Sequence, residues 1–231
     1  TSIIHNVLFD LDNTLFDFDK AESRAVSYTL RELGIDPTPA VVKRYSELNL
    51  EQWKLLELGK LTRREVKLRR YQLLFEELHV DCSAARAAKI CETQLGIGHY
   101  FIEGAPELLE TLYGNYLLFL VTNGTASVQK SRLKSAGIER YFEAVFISEE
   151  MGADKPSSAY FDACFSRIPN FQKGEAVIIG DSLTSDIKGG INAGIRTIWF
   201  NPSGTENPAD IRPDFEIRSL NQIPALLERL R

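Results

Sequence analysis

A chain of 231 residues that is 44% hydrophobic and 26% charged has the balance of a soluble globular protein, long for one domain and comfortable for two. Its 27 basic against 32 acidic residues leave a formal net charge of -5, which argues against a dedicated nucleic-acid or anionic-membrane surface. No apolar run reaches the roughly 18 residues a membrane span needs, and three cysteines without a CxxC pair point to reduced thiols, not to a disulfide framework or zinc site.

The first residues, Thr1-Ser2-Ile3-Ile4-His5, lack a charged-then-apolar signal organisation, so the expected location is the cytoplasm. The apolar run Ile3 to Phe9 reads as a buried strand that opens into the polar turn Asp10-Leu11-Asp12-Asn13-Thr14. From Phe18 to Gly98 no comparable strand occurs. Helical patterns run instead over Ala21–Leu33, Pro39–Leu58, Thr62–Leu78 and Ser83–Leu95, broken at Gly34-Ile35-Asp36-Pro37, at Gly59 and at Val80-Asp81-Cys82. After Gly104 the rhythm changes to alternation. Strands are predicted at Tyr116–Val121, Ala144–Ile147, Ala176–Ile179 and Thr197–Phe200. Helices are predicted at Pro106–Tyr113, Ala126–Ala136, Ser157–Phe165, Thr184–Ala193 and Ile223–Leu230. Apolar strands alternating with helices imply a parallel sheet covered on both faces. The expected fold class is therefore α/β: a doubly wound, Rossmann-like core of residues 1–15 and 98–231, interrupted by an α-helical cap domain of residues 16–97.

In such a sheet ligands bind beyond the carboxyl ends of the strands. The residues found there are Asp10 and Asp12, then Thr122-Asn123-Gly124, then Lys155-Pro156 and Gly180-Asp181-Ser182. The carboxylates of Asp10, Asp12, Asp181 and Asp186 crowded at one rim would repel each other unless a cation compensated them. Oxygen donors without His or Cys favour a hard cation such as Mg²⁺. A lysine, a hydroxyl and loop amides at the same rim are donors suited to a phosphate, and a carboxylate facing phosphorus can act as a nucleophile.

These segments carry a family resemblance. Asp10-Leu11-Asp12-Asn13-Thr14 resembles the Asp-x-Asp-x-Thr/Val motif of the haloacid dehalogenase superfamily. Val121-Thr122-Asn123-Gly124, Lys155-Pro156 and Gly180-Asp181 through Asp186 resemble its second, third and fourth motifs, in order and across the whole core. The cap position is similar to that of subfamily I phosphatases with a helical cap.

The resemblance implies roles residue by residue. Asp10 would be the nucleophile and a metal ligand; Asp12 the general acid and then base, its backbone carbonyl also on the metal. Thr122 and Asn123 would bind phosphoryl oxygens, although Thr122 could also simply cap the following helix. Lys155 would neutralise charge on the transferring group and orient Asp10. Asp181 would ligate Mg²⁺ directly, and Asp186 through water or an outer layer, with a solvated acid at a helix start as its bland alternative. Ser182 could also touch the surroundings of the metal, although turn chemistry explains it equally well. Gly189, Gly190 and Gly194 are read as helix packing and a helix stop.

The cap holds a basic cluster, Lys60, Arg63, Arg64, Lys67, Arg69 and Arg70, whose ordinary reading is a solvated face. Phe16, Phe18, Tyr45 and Trp53 are more often core than stacking platforms. The run Leu15 to Glu22 is similar to a branch that dephosphorylates pyrimidine nucleoside monophosphates. The resemblance thus implies a Mg²⁺-dependent phosphatase with a small phosphomonoester as its partner, without nucleic acid or membrane and with no oligomeric state assigned. Open alternatives are a 2-haloacid dehalogenase, against which Asp12 and Asp181 count, a phosphonate hydrolase, a sugar phosphomutase, and a catalytically idle binding module.

Overall fold

The computed structural model describes residues 3–208 and 210–230; Thr1, Ser2, Ala209 and Arg231, which include the outer ends of the core segments and the start of the N-terminal run read for location, lie outside them. The chain divides into two compact units, residues 1–17 with 99–231, and residues 18–98.

The first unit is built on one six-stranded parallel sheet. Its strands are β1 (Asn6–Phe9), β2 (Leu117–Thr122), β3 (Phe142–Ile147), β4 (Ala176–Gly180), β5 (Arg196–Phe200) and β6 (Phe215–Ile217), in the spatial order β3-β2-β1-β4-β5-β6. β1 lies inside the sheet, between β2 and β4, where the order of connection reverses. Phe9 is opposite Leu120 on one side and Ile179 on the other, and the two neighbours run on past it to Thr122 and Gly180. Alternation along β1 sends Val7 and Phe9 to one apolar layer and Leu8 to the other. The first layer is closed by α5 (Ala105–Leu112) and α10 (Ile223–Arg229), through Leu108, Leu109, Leu226 and Leu227. The second is closed by α8 (Ser158–Phe165) with Tyr160, Phe161 and Cys164.

Three details depart from the sequence reading. The first strand is shorter, beginning at Asn6 and not at Ile3. β6 was not anticipated, because three residues centred on the exposed Glu216 carry too little periodicity to register. The helix expected from Thr184 opens as a single π-helical turn, Leu183–Ile187, and becomes α-helical only in α9 (Lys188–Ala193). A Cβ at Gly189 would press on the Phe161 ring and one at Gly190 on Ile178 and Thr197, so both glycines serve close packing; Gly194, with φ of 77°, ends the helix.

The second unit comprises α1 (Phe18–Glu32), α2 (Pro39–Glu57), α3 (Arg63–Leu78) and α4 (Ala84–Leu95). Thr38 and Ser83 accept from Val41 N and Arg86 N, and Thr62 forms a reciprocal box with Glu65, so α2, α3 and α4 start on caps made by side chains. Tyr45 and Tyr71 belong to its core. Arg70 corrects the reading of a solvated basic face: it is buried, donating from Nη1 to Asn49 Oδ1 at 2.9 Å, while Asn49 Nδ2 donates to Glu22 Oε2 at 2.7 Å. A bundle of four helices with one aromatic core leaves no solvated side for a residue at that position. Among the described residues no helix is long and apolar enough to cross a membrane.

Candidate active site

Asp10 still belongs to the sheet through its backbone, N–H donating to Ile179 O at 2.9 Å, but its side chain is the first beyond β1. The chain then turns sharply. Asn13 adopts φ of 60°, a left-handed conformation that asparagine tolerates, and Leu11 O accepts from the amides of Leu15 and Phe16 at 2.9 Å each. This turn buries Thr14 beneath the carboxylates, where its Oγ1 lies 3.3 Å from both Asp10 Oδ2 and Asp181 Oδ1.

Lys155 arrives from the connection after β3, past the short helix α7 (Ser148–Met151). Its position is set by Asn123, whose Oδ1 accepts from Lys155 N at 2.9 Å and whose Nδ2 donates to Lys155 O at 3.0 Å. That pairing ties the loop after β2 to the loop carrying the lysine. The Lys155–Pro156 peptide is cis. Lys155 Nζ then donates to Asp10 Oδ1 at 2.9 Å, Asp186 Oδ1 at 2.8 Å and Val121 O at 2.9 Å, so all three ammonium protons are used. The residue is buried, 2% exposed.

One oxygen from each of Asp10, Asp181 and Asp186 falls within 4.8 Å of the others. Burial and then the Asp10 charge hold the Asp181 carboxyl well above the usual range, and the same two causes raise Asp186 to about 7. Burial alone would lower Lys155, but Asp10 and Asp186 outweigh it and keep the ammonium protonated above its ordinary range. Fully ionised, the three carboxylates would exceed the single ammonium by two negative charges within a small buried volume. Oxygen donors with that deficit suit a hard divalent cation.

The two acids of the fourth segment differ in what they touch. Asp186 is completely buried; its Oδ1 takes Lys155 and its Oδ2 accepts from Ser182 N at 3.2 Å. Asp181 is held through its backbone, Trp199 Nε1 donating to Asp181 O at 2.8 Å. Ser182 Oγ accepts from Ser185 N at 3.2 Å and so caps the π-helical turn. Gly180 has no room for a side chain, since a Cβ there would sit inside the van der Waals envelope of the Asp186 carboxylate. Gly180→Ala should therefore push Asp186 off Lys155, cost about 1–3 kcal/mol in a urea melt and, through that misplacement, lower kcat by about 100-fold. An alanine variant with unchanged midpoint and rate would show that the carboxylate has slack.

Thr122 Oγ1 accepts from Gly124 N at 3.1 Å and from Gln129 Nε2 at 2.9 Å. With both acceptor positions filled, its own proton is the one left to give. It does not cap the next helix: α6 (Ala126–Ala136) starts from Thr125. Asp12 stands apart from the carboxylate trio. Its Oδ1 accepts from Arg132 Nη1 at 2.6 Å and its Oδ2 from Gln129 Nε2 at 2.9 Å.

Sequence reasoning missed Gln129, Arg132, Trp199 and the place of Thr14. A signal for two of them existed. The buried positions of α6 are Val128, Gln129, Arg132 and Leu133, so two polar residues interrupt the stripe where the helical period demands apolar ones.

A family model described as haloacid dehalogenase-like hydrolase matches residues 7–200. The chain is 37% identical over 224 residues to the pyrimidine 5′-nucleotidase PynA of Streptococcus pneumoniae, covering 96% of this chain and 94% of that protein. It is 30% identical over 227 residues to the pyrimidine 5′-nucleotidase YjjG of Escherichia coli, covering 96% of each. Among solved structures, the magnesium-bound HAD-hydrolase YfnB of Bacillus subtilis superposes with a TM-score of 0.93 at 37% identity, over 98% of this chain and 99% of that one.

Proposed function

The chain belongs to the haloacid dehalogenase-like hydrolases, and from that premise we propose that it is a Mg²⁺-dependent phosphatase acting on nucleoside 5′-monophosphates, pyrimidine ones foremost, through an aspartyl phosphate at Asp10. The observation that carries the reading is the buried trio Asp10, Asp181 and Asp186 with a single lysine among them. Such a group serves no packing purpose, since uncompensated buried carboxylates destabilise a fold.

Asp10 and Asp181 would hold the metal directly, joined by the backbone carbonyl of Asp12. Asp186, both of whose oxygens are engaged, would reach it through water while steadying Lys155. Bound there, Mg²⁺ supplies positive charge to the phosphoryl oxygens. Lys155 adds a second cationic centre and holds Asp10 Oδ1, while Oδ2 lies 3.3 Å from the Thr14 hydroxyl. The Thr122 proton and backbone amides of the 122–124 loop would hold the remaining oxygens, because the Asn123 side chain is already committed to the Lys155 backbone. Asp10 attacks phosphorus, the P–O bond to the leaving alkoxide breaks, and Asp12 gives that oxygen its proton. Asp12, now a carboxylate, takes a proton from water, which attacks the acyl phosphate and frees Asp10. The division into residues 1–15 with 98–231 and a cap of 16–97 is part of the same proposal.

A dehalogenase would leave the second aspartate pair, Asp12 and Asp181, without work. The test is hydrolysis of p-nitrophenyl phosphate and of pyrimidine and purine nucleoside monophosphates by purified protein, with Mg²⁺ and then with EDTA. We expect turnover that EDTA abolishes and Mg²⁺ restores, with pyrimidine esters preferred. Release of chloride from 2-chloropropionate without phosphate release would replace the reading.

A further inference from the structure

The mechanism above needs Asp12 to meet the leaving oxygen in a fixed orientation, yet Asp12 belongs to a tight turn and is 26% exposed along its side chain. What orients it comes from α6. Arg132 Nη1 reaches one Asp12 oxygen and Gln129 Nε2 the other, while Arg132 Nη1 also donates to Gln129 Oε1 at 2.9 Å. Gln129 spends the two protons of one NH₂ group on Asp12 Oδ2 and Thr122 Oγ1. A single amide thus spans the expected proton donor and the expected phosphate anchor. Gly124 makes that possible, because a Cβ there would overlap the Gln129 amide. The Arg132 guanidinium also lies 5.0 Å from the centre of the Phe16 ring, at the far end of the turn that begins with Asp12.

The arrangement is a poor one for stability alone. Arg132 is 1% exposed, and its Nε and Nη2 are buried with no acceptor among the described residues. Orphaned donors on a buried cation are costly, and an apolar residue of the same length would pack there without them.

We propose, on the strength of the phosphatase reading, that Gln129 and Arg132 are positioning residues that lock the Asp12 carboxyl group at a fixed distance from the phosphoryl oxygen held by Thr122, and so set the rate of leaving-group protonation. Each Asp12 oxygen keeps a further lone pair, on one of which the transferred proton is carried, so the grip fixes direction without blocking proton transfer.

The experiment compares kcat/KM on two esters with one phosphoryl group and different leaving groups. Uridine 5′-monophosphate releases an alkoxide that needs a proton; p-nitrophenyl phosphate releases a phenolate that does not. Since kcat/KM ends at phosphoryl transfer, later hydrolysis of the acyl phosphate does not enter. Arg132→Met and Gln129→Met are each expected to lose about 100-fold on the nucleotide, the scale of general acid catalysis, and only a few-fold on the aryl ester. Arg132→Lys should recover part of the nucleotide rate. Thermal midpoints of the methionine variants should equal or exceed that of the wild type. Equal losses on both esters, or no loss on either, overturn the inference. A wild type with no Mg²⁺-dependent turnover on either ester is a separate result, which overturns the phosphatase reading and this inference with it.

Discussion

Asp10→Asn is expected to abolish turnover while leaving the fold intact. The amide is nearly isosteric: its carbonyl oxygen can still accept from Lys155, and its NH₂ can donate to the Thr14 hydroxyl, which now sits 3.3 Å from Asp10 Oδ2. What disappears is the oxygen that forms the bond to phosphorus. Removing a covalent nucleophile costs on the order of 10⁴ to 10⁶ in kcat. No neighbour can substitute, since Asp186 is wholly buried against Lys155 and Asp12 is turned toward α6. The variant should also melt no earlier than the wild type without metal, because the Asp10 charge is, after burial, what most raises both Asp181 and Asp186. Initial rates with Mg²⁺, a thermal scan and acid-quenched trapping of the phosphorylated peptide containing Asp10 check the three parts. Full activity in the variant would mean that another residue attacks phosphorus.

How far these conclusions could be read before any coordinates depends on the kind of signal each residue gives. Asp10 and Asp181 follow strands buried on both faces, Thr122 ends another, and Lys155 comes from the connection after β3; a parallel sheet delivers what lies at such strand ends to one rim. Their convergence was therefore predictable from hydrophobic pattern and order. Arg132 and Gln129 gave a different signal, a pair of polar residues within the buried stripe of a helix. Such interruptions are common, and only the register of α6 against the turn at Asp12 decides whether they find a partner. Arg70 shows the reverse case. On composition it belongs to a basic run, but α3 packs against α2 and α4, and the partner that accommodates it, Asn49, lies 21 positions away. The π-helical turn at Leu183–Ile187 was invisible for a similar reason. Ser182 caps it and Asp186 is drawn inward to Lys155, so the local winding answers to a tertiary contact and not to propensity.

Metal and pH should act on stability together, and in a direction opposite to that of most acidic pairs. Asp186 in the folded, metal-free protein titrates at about 7 and Asp181 well above its ordinary 3.8, both mainly through burial and Asp10. In the unfolded chain both release their protons near their ordinary values. Between about pH 4 and 7 the folded form therefore binds more protons than the unfolded one, and stability falls as pH rises through that window, by a total on the order of a few kcal/mol. Lys155, raised above its usual range, adds nothing to the slope there, because it is protonated in both states. A cation that binds the ionised carboxylates of the native state alone should reverse the trend. Saturating Mg²⁺ is thus expected to raise the melting midpoint far more at pH 8 than at pH 5. Asp181→Asn should melt above the metal-free wild type at pH 8, lose most of the Mg²⁺ shift, and be inactive. A Mg²⁺ shift equal at both pH values, or an asparagine variant less stable than the metal-free wild type, would show that these buried acids are not what the ion neutralises.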